Sequence, residues 1–325
     1  MRAAWYERTG PARDVIRTGT LPDPEPGPGE VRVRLAVSGV NPSDWKARSG
    51  VRPMAGPIVV PHSDGAGVVD RVGPGVSARR EGERVWVLNG QWGRPLGTAA
   101  EYVVLPEDLV APLPDVCSFE EGACFGIPAL TAWRAVTVDG SVEGRTVLVT
   151  GGAGSVGHYA VQFAKLLGAA KVFATVSSAT KAEHARNAGA DVVIDYRSED
   201  VAARIAAETG GRGVDRIVEV DIATNGRLLP RLIAKDGLCA VYGSAKPEFS
   251  LEFVPLIVSG AAIRFFIVYE LEAKARRDAI ARMNDFFARG LVRHTIAARF
   301  PLEDCAAAHE AVEGGRLMGN VVLTI

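Results

Sequence analysis

The run Val147-Leu148-Val149-Thr150 leads straight into Gly151-Gly152-Ala153-Gly154-Ser155-Val156-Gly157, so residues 152 to 157 satisfy the spacing GxGxxG. Glycines there permit a tight turn and close approach of the backbone to a pyrophosphate, and the following helix offers free N–H groups and the positive end of its dipole. The spacing alone is weak in a chain with 36 glycines. It gains weight from the strand before it, the helix after it and the second strand that follows. The tip of that second strand should face the adenosine ribose about 20 residues on. No acid stands there. An Asp or Glu would accept from a ribose 2′-OH and repel a 2′-phosphate, whereas Ser177 and Ser178 can donate to the phosphate and Lys181 supplies a cation. The pattern favours NADP(H), against the alternative that Lys181 is only a solvated residue opening the next helix.

Metal chemistry finds less support. Cys117, Cys124, Cys239 and Cys305 are scattered without CxxC spacing or a histidine at ligand distance, and are expected to be buried free thiols. His62 and Asp64 are close enough to suggest ligands, but a turn histidine with an acidic neighbour is the commoner arrangement. No metal is expected.

These residues need elements to hold them. The first part of the chain is β-rich, with short strand-like runs at 31–37, 66–72, 84–88 and 100–105 separated by Gly and Pro. The segment 21–29 is a Pro/Gly-punctuated surface connection. From about Thr146 the texture becomes βαβ alternation, with strands expected at 146–150, 171–176, 191–195, 214–220, 238–242 and 263–268. Helices should begin near Val156, Lys181, Ser198 and Asn225, with Ser198 as an N-cap and Gly168, Gly189, Gly210 and Gly237 at C-caps. Pro230 blurs the fourth helix. Six parallel strands with helical crossovers make a doubly wound dinucleotide fold. Helices around 273–288 and 303–313 and a last strand at 320–325 complete the chain, and this tail should return to the first domain.

A chain of 325 residues, 47% hydrophobic, can bury sizeable cores and suggests about two domains. A net charge of −1 and the lack of a basic run give no reason to expect nucleic acid. The start has no apolar signal core, and the most apolar later run, 263–271, is interrupted by Arg264 and Glu270. A cytoplasmic protein without a membrane span is expected.

Ordered blocks along the chain carry a resemblance: Gly39-Val40-Asn41-Pro42-Ser43-Asp44, Asp64-Gly65-Ala66-Gly67-Val68-Val69, Gly97-Thr98-Ala99-Ala100-Glu101-Tyr102, Gly126-Ile127-Pro128-Ala129-Leu130-Thr131-Ala132, the glycine turn, and Asp195-Tyr196-Arg197. Together they resemble the zeta-crystallin-type quinone oxidoreductases of the zinc-free medium-chain dehydrogenases/reductases. That resemblance implies an α/β protein: a GroES-like β-rich catalytic domain at 1–125, completed by 270–325, and a Rossmann domain at 126–269, with substrate in the cleft. It implies that Ser177, Lys181 and Tyr196 hold the 2′-phosphate and that Gly152, Gly154, Ser155, Val156 and Gly157 hold the pyrophosphate. Thr131 and Val156 would lie near the nicotinamide side, and Gly243 and Asn320 join the cofactor-binding set. The superfamily's zinc alcohol dehydrogenases hold catalytic metal with Cys, His and Cys, and the matching places here are Asn41, Ser63 and Ile127, which cannot form such a site. No cysteine lies between Gly90 and Val116 for a structural zinc lobe.

Asn41 and Asp44 match family positions that line the cleft, and with Lys46, two residues after Asp44, they are the catalytic candidates. Asn41-Pro42-Ser43-Asp44 is equally a good helix start. Lys46 departs from the aromatic hydroxyl of several family members; it can stabilise an oxyanion or point to solvent. Leu88-Asn89-Gly90-Gln91-Trp92-Gly93 is expected to form a mobile lip, with Trp92 either stacking or merely packing. Without a metal, the substrate should accept hydride readily: a quinone, or a conjugated C=C bond in the alternative reading. A non-catalytic NADPH-binding role is the third. The apolar edge strand at 263–268 suggests a homodimer.

Overall fold

The computed structural model describes residues 1–325. The chain divides into two compact units, Met1–Pro128 with Glu272–Ile325, and Ala129–Leu271.

The second unit carries an all-parallel sheet of β1 (Thr146–Val149), β2 (Lys171–Val176), β3 (Val192–Asp195), β4 (Val214–Glu219), β5 (Ile233–Val241) and β6 (Ala262–Phe265). Their spatial order is 3-2-1-4-5-6, so the chain reverses direction across the sheet between β1 and β4. Leu148, Phe173, Ile194, Ile205 and Ile217 are among the buried side chains of its core. The central β1 and β2 read as nearly continuous apolar runs because the sheet is covered on both faces there, whereas the edge strand β6 is exposed.

Several boundaries differ from the sequence expectation. The helix after β3 runs Val201–Thr209 and is capped by Asp200, whose Oδ1 accepts from the Ala202 and Ala203 amides at 2.9 and 3.1 Å; Ser198 is not the cap. Gly210 closes it in the left-handed region, φ 61°. Gly237 is no helix cap but lies inside β5. The expected fourth helix is three short pieces, Ile222–Asn225, a 3₁₀ turn Gly226–Leu228, and Leu229–Leu232 with Pro230 in its first turn. Asn225 ends the first of these rather than opening a helix. Proline tolerates a first turn but not a helix interior, hence the fragmentation.

The first unit is built on a mostly antiparallel seven-stranded sheet. Its long member, Glu30–Val40, pairs with Asp64–Val72 on one side and the C-terminal Asn320–Thr324 on the other, and Tyr102–Pro106 also joins it. Arg84–Val87 and Val110–Pro112 extend the sheet beyond Asp64–Val72. Val321 lies opposite Val40, so the tail does return to the N-terminal strands. Sequence reading missed the parallel edge strand Ile296–Pro301 and the small pair Arg2–Trp5 with Arg17–Thr20. The helix Ala273–Ala288 stands where expected, buried through Met283, Phe286 and Phe287.

Candidate functional site

In the Rossmann unit, β1 ends in the glycine turn. The Gly151 and Gly152 amides donate to Oγ1 and the carbonyl of Thr175, at 3.1 and 3.0 Å, tying the turn to β2. A β-carbon at Gly157 would lie 2.2 Å from the Gly151 carbonyl oxygen, and one at Gly152 only 2.7 Å from Ala174 Cβ. Side chains are excluded at both places. Gly154 stands at the N-cap of the helix Ser155–Leu166 and no side chain caps it. The first-turn amides of Ser155, Val156 and Gly157 are therefore turned to whatever lies beyond the helix, as an anion cradle requires.

Ser177 follows the end of β2. Ser178 caps the helix Ala179–Asn187, accepting from the Lys181 amide at 3.3 Å, so that helix begins two residues before the expected Lys181. Parallel pairing sets Asp195 of β3 opposite Val176, and the Tyr196 amide donates to the Val176 carbonyl at 3.1 Å. Ser177, Lys181 and Tyr196 are thus brought to one end of adjacent strands, with Tyr196 54% exposed and open to a ligand.

At the β1/β4 crossover point lies a hollow of about 480 Å³ lined by Thr150, Thr175, Tyr196, Asp221, Asn225 and Arg227 among others. A ligand crevice is expected at this reversal of strand order. Residues passed over in the sequence shape it. Glu219, buried, accepts from the Asn225 amide group at 2.8 Å and the Asp221 N–H at 2.6 Å, and burial raises its carboxyl above the ordinary range. Its only sequence signal is an acid following the apolar pair Ile217-Val218 at the end of its strand. Gly243 sits so close to Val220 that a β-carbon would meet the Val220 carbonyl oxygen at 2.2 Å. Thr131 is buried on the helix Leu130–Thr137.

In the catalytic unit, Asn41 is the N-cap of the helix Pro42–Arg48. Asp44 reaches back to accept from the Asn41 amide at 2.7 Å, which is why this tetrapeptide reads as a helix start. The Asn41 side chain donates to Asp64 Oδ2 at 2.8 Å, and the Ile127 amide donates to the same carboxyl at 2.9–3.0 Å. Gly126 has no room for a side chain against Asp64, whose Oδ1 would meet a β-carbon at 2.1 Å. Asn41 and Ile127, two of the three places for which the resemblance implies zinc ligands elsewhere in the superfamily, are therefore stitched together by Asp64. The third, Ser63, is buried and accepts from the Gln91 amide at 3.4 Å. An amide, a hydroxyl and an alkyl side chain supply no thiolate or imidazole to a metal.

Both carboxyls are buried. Desolvation raises Asp44 to about 7 and holds Asp64 well above the ordinary range, with Asp44 adding like charge against Asp64. Asp44 Oδ1 has no hydrogen-bond partner. Lys46 is not brought to them. Two residues on, about 200° around the helix, it lies with Nζ 5.9 Å from the Trp45 ring centroid. Asn320 donates to the Thr295 carbonyl at 3.1 Å while its buried Oδ1 is unpartnered, an acceptor of the kind a carboxamide would satisfy.

The expected mobile lip is instead a pinned segment. Leu88, Asn89 and Gln91 are buried, Gly90 donates to the Ser63 carbonyl at 2.9 Å, and Trp92 stacks under the Arg52 guanidinium at 4.9 Å. His62, expected as a turn histidine beside an acid, has a left-handed backbone with φ 76°. It is fully buried and meets His309, with Cys305 alongside. All four cysteines are buried and free, yet Cys305 and His309 are four residues apart on one helix, a ligand spacing the sequence reading passed over.

Residues 27–115 match the family described as alcohol dehydrogenase GroES-like domain, and residues 155–288 match that described as zinc-binding dehydrogenase. A quinone oxidoreductase of Pseudomonas aeruginosa is 33% identical over 92% of this chain and 92% of its own. A 2-haloacrylate reductase of Burkholderia sp is 30% identical over 99% and 98%. Among solved structures, the Escherichia coli quinone oxidoreductase complexed with NADPH superposes with a TM-score of 0.88 at 26% identity, covering 100% of both chains. With the GroES-like unit, the six-stranded Rossmann sheet and these relatives in agreement, the chain belongs to the quinone oxidoreductase family of the medium-chain dehydrogenases/reductases.

Proposed function

We propose that this protein is an NADPH-dependent quinone oxidoreductase that works without a catalytic zinc. The observation that carries the reading is that Asn41, Ser63 and Ile127, the places the resemblance matches to the zinc ligands of the superfamily's alcohol dehydrogenases, offer an amide, a hydroxyl and an alkyl group, with Asn41 and Ile127 both engaged by Asp64. The cofactor supplies the hydride when bound. Gly152, Gly154, Ser155, Val156 and Gly157 form a cradle that admits a pyrophosphate and no side chain, while Ser177, Lys181 and Tyr196 take the 2′-phosphate. Thr131 and Val156 belong to the nicotinamide side, and Gly243 and Asn320, the latter with a buried unpartnered Oδ1, complete the proposed cofactor-binding set. Asn41 orients a substrate oxygen with the amide hydrogen left over from Asp64, and Asp44, whose burial favours the protonated acid, holds a proton near neutral pH. With no Lewis acid at these positions, the substrate must stabilise its own developing oxyanion, as a quinone does.

Reduction of an activated C=C bond is the second reading, favoured by the similarity to a 2-haloacrylate reductase. NADPH oxidation measured with 1,4-benzoquinone, 9,10-phenanthrenequinone, acrolein and a 2-haloacrylate separates the two. Quinone turnover at least as efficient as turnover of either alkene is the expected result. Quenching by NADPH without oxidation by any acceptor would leave the non-catalytic role.

A homodimer is part of the proposal. β6 is the sheet's edge strand, Phe265 and Ile267 at its end are exposed, and the neighbouring helix Phe253–Ser259 buries none of its residues. An apolar edge of this kind calls for a partner, and a symmetry mate supplies one. No helix is long and apolar enough to cross a membrane, and the four free thiols accord with a cytoplasmic location.

A further inference from the structure

Beside the Asn41, Asp64 and Ile127 trio, the catalytic unit holds a second group of chemistry-bearing side chains that the proposed reaction does not use. His62, Cys305 and His309 are all fully buried, and one ligand atom from each lies within 4.8 Å of the others. Cys305 and His309 stand one turn apart on the helix Cys305–Glu313. The His62 and His309 rings stack at 5.0 Å, and their Nε2 atoms are 2.9 Å apart. His62 adopts φ 76°, a left-handed backbone that disfavours any β-carbon. A strained residue is retained where the surroundings over-determine it, and here the surroundings grip the imidazole.

The protons can be assigned. Thr98 Oγ1 donates to the Asp64 carbonyl at 2.6 Å, which spends its one proton. Ser38 must then donate to Thr98 at 2.8 Å, and its oxygen accepts from His62 Nδ1 at 3.0 Å. His62 therefore presents a bare Nε2 lone pair toward His309. His309 Nδ1, also buried, has no partner. Burial keeps both imidazoles neutral, His62 well below its ordinary range and His309 down to about 3, and pushes the Cys305 thiol up.

We propose that His62, Cys305 and His309 form a binding site for one Cu(I) ion per chain. Two imidazoles and one sulfur, with no carboxylate among them, are a soft donor set suited to copper or zinc. Charge decides between these. Cu(I) with the Cys305 thiolate is neutral, whereas Zn(II) leaves one positive charge in a dry interior. That charge would face Arg48, whose side chain is 1% exposed, whose field already acts on His309, and whose ion-pair partner is Glu313 at 2.6 Å. Structural zinc also asks for four protein ligands, while Cu(I) accepts three. On binding, the Cys305 S–H bond breaks as the S–Cu bond forms, and the proton leaves to solvent. His309 moves its proton from Nε2 to the unpartnered Nδ1, and no electron is transferred. This departs from the metal-free reading of the sequence.

The test is anaerobic titration of the purified protein with Cu(I) against bicinchoninate, read by copper per chain and by the chelator's absorbance. One equivalent withheld from the chelator is expected. Cys305→Ser and His62→Gly should each weaken retention by more than the roughly 100-fold that loss of a supporting residue costs a metal site. Glycine suits the left-handed backbone, so His62→Gly keeps the test available should Cys305→Ser fail to fold. Zn(II) in excess should leave the bound copper in place. Complete loss of copper from the wild type to bicinchoninate would overturn the proposal. So would undiminished retention in the folded variants, since Cys117, Cys124 and Cys239 remain in both, and so would displacement of copper by zinc.

Discussion

Replacing Lys181 by Ala should weaken NADPH while leaving NADH nearly untouched. The 2′-phosphate carries close to two negative charges near neutral pH. Lys181 stands in the first turn of the helix Ala179–Asn187, its amide tied to Ser178 Oγ at 3.3 Å, while Tyr196 is anchored to the end of β2 by its amide at 3.1 Å. A charge-assisted contact contributes about 1.5–3 kcal/mol. Because Lys181 is partly exposed, solvent screening places it toward the lower end. The expected loss is therefore about 10- to 30-fold in KM for NADPH. Ser177→Asp should go further and invert the preference, since it adds an acceptor for a 2′-OH and a repulsive charge in one substitution. Steady-state kinetics with both cofactors on the wild type and the two variants is the assay. Equal losses for NADPH and NADH in Lys181→Ala would refute the reasoning, because a residue that merely supports the helix affects both alike.

Three further outcomes follow from the geometry. Elemental analysis of purified protein should find no stoichiometric zinc, and NADPH oxidation should survive a zinc chelator; one tightly held zinc whose removal abolishes activity would sink the zinc-free reading. Light scattering should give a dimer at micromolar concentration, and Phe265→Glu on the exposed edge should shift it toward monomer, whereas a clean monomeric wild type would count against the edge-strand interface. Asp44 bears on stability. Its folded carboxyl titrates near 7, above its unfolded value, so stability present below about pH 4 is lost as pH rises through 7. Asp44→Asn should remove that loss, and the melting-temperature difference, variant minus wild type, should grow in the variant's favour from pH 5 to pH 8; a difference independent of pH would show that Asp44 is ionised throughout.

How much of this was legible depended on how local each cause is. β1 and β2 announced themselves because burial on both faces demands nearly unbroken apolar runs. β4 to β6, which carry Asp215, Arg216, Lys235, Asp236 and Arg264, were legible from the alternation of strands and helices, and the glycine turn from the steric exclusion at Gly152 and Gly157 that leaves no other residue. Ile296–Pro301 escaped notice because it is a half-exposed edge strand whose apolar pattern is broken by Arg299. The helix start at Asn41 is a four-residue event and was readable, but the amide that Asn41 directs at Asp64 spans 23 positions and was not. Lys46 was singled out for its type, and its position opposite Asp44 on the helix is what removes it from that carboxyl. The lip failed for a related reason. Gly90 and Gln91 look like loop residues, yet their amides bond the strand-flanking Ser63 and both are buried. His62 and His309, 247 positions apart, needed the fold, while Cys305 and His309 needed only attention to helical spacing.

Asp64 links these observations. A carboxyl with no exposed surface would normally be eliminated or paired with a cation, and this one has neither fate. It is held by the Ile127 amide, the Asn41 side chain and a glycine at 126 that leaves it room, while its own backbone carbonyl receives Thr98 and begins the chain of hydrogen bonds to Ser38 and His62. One residue thus links Asn41 and Ile127 to the hydrogen bonds that reach the imidazole pair behind them. A substitution at Asp64 cannot be confined to either. Removing its carboxyl would leave the buried Asn41 side chain and the half-buried Ile127 N–H without their acceptor, at about 1–3 kcal/mol each. The polar interior of this unit is therefore one continuous network, with the hydride-accepting reading on one side of Asp64 and the copper site on the other.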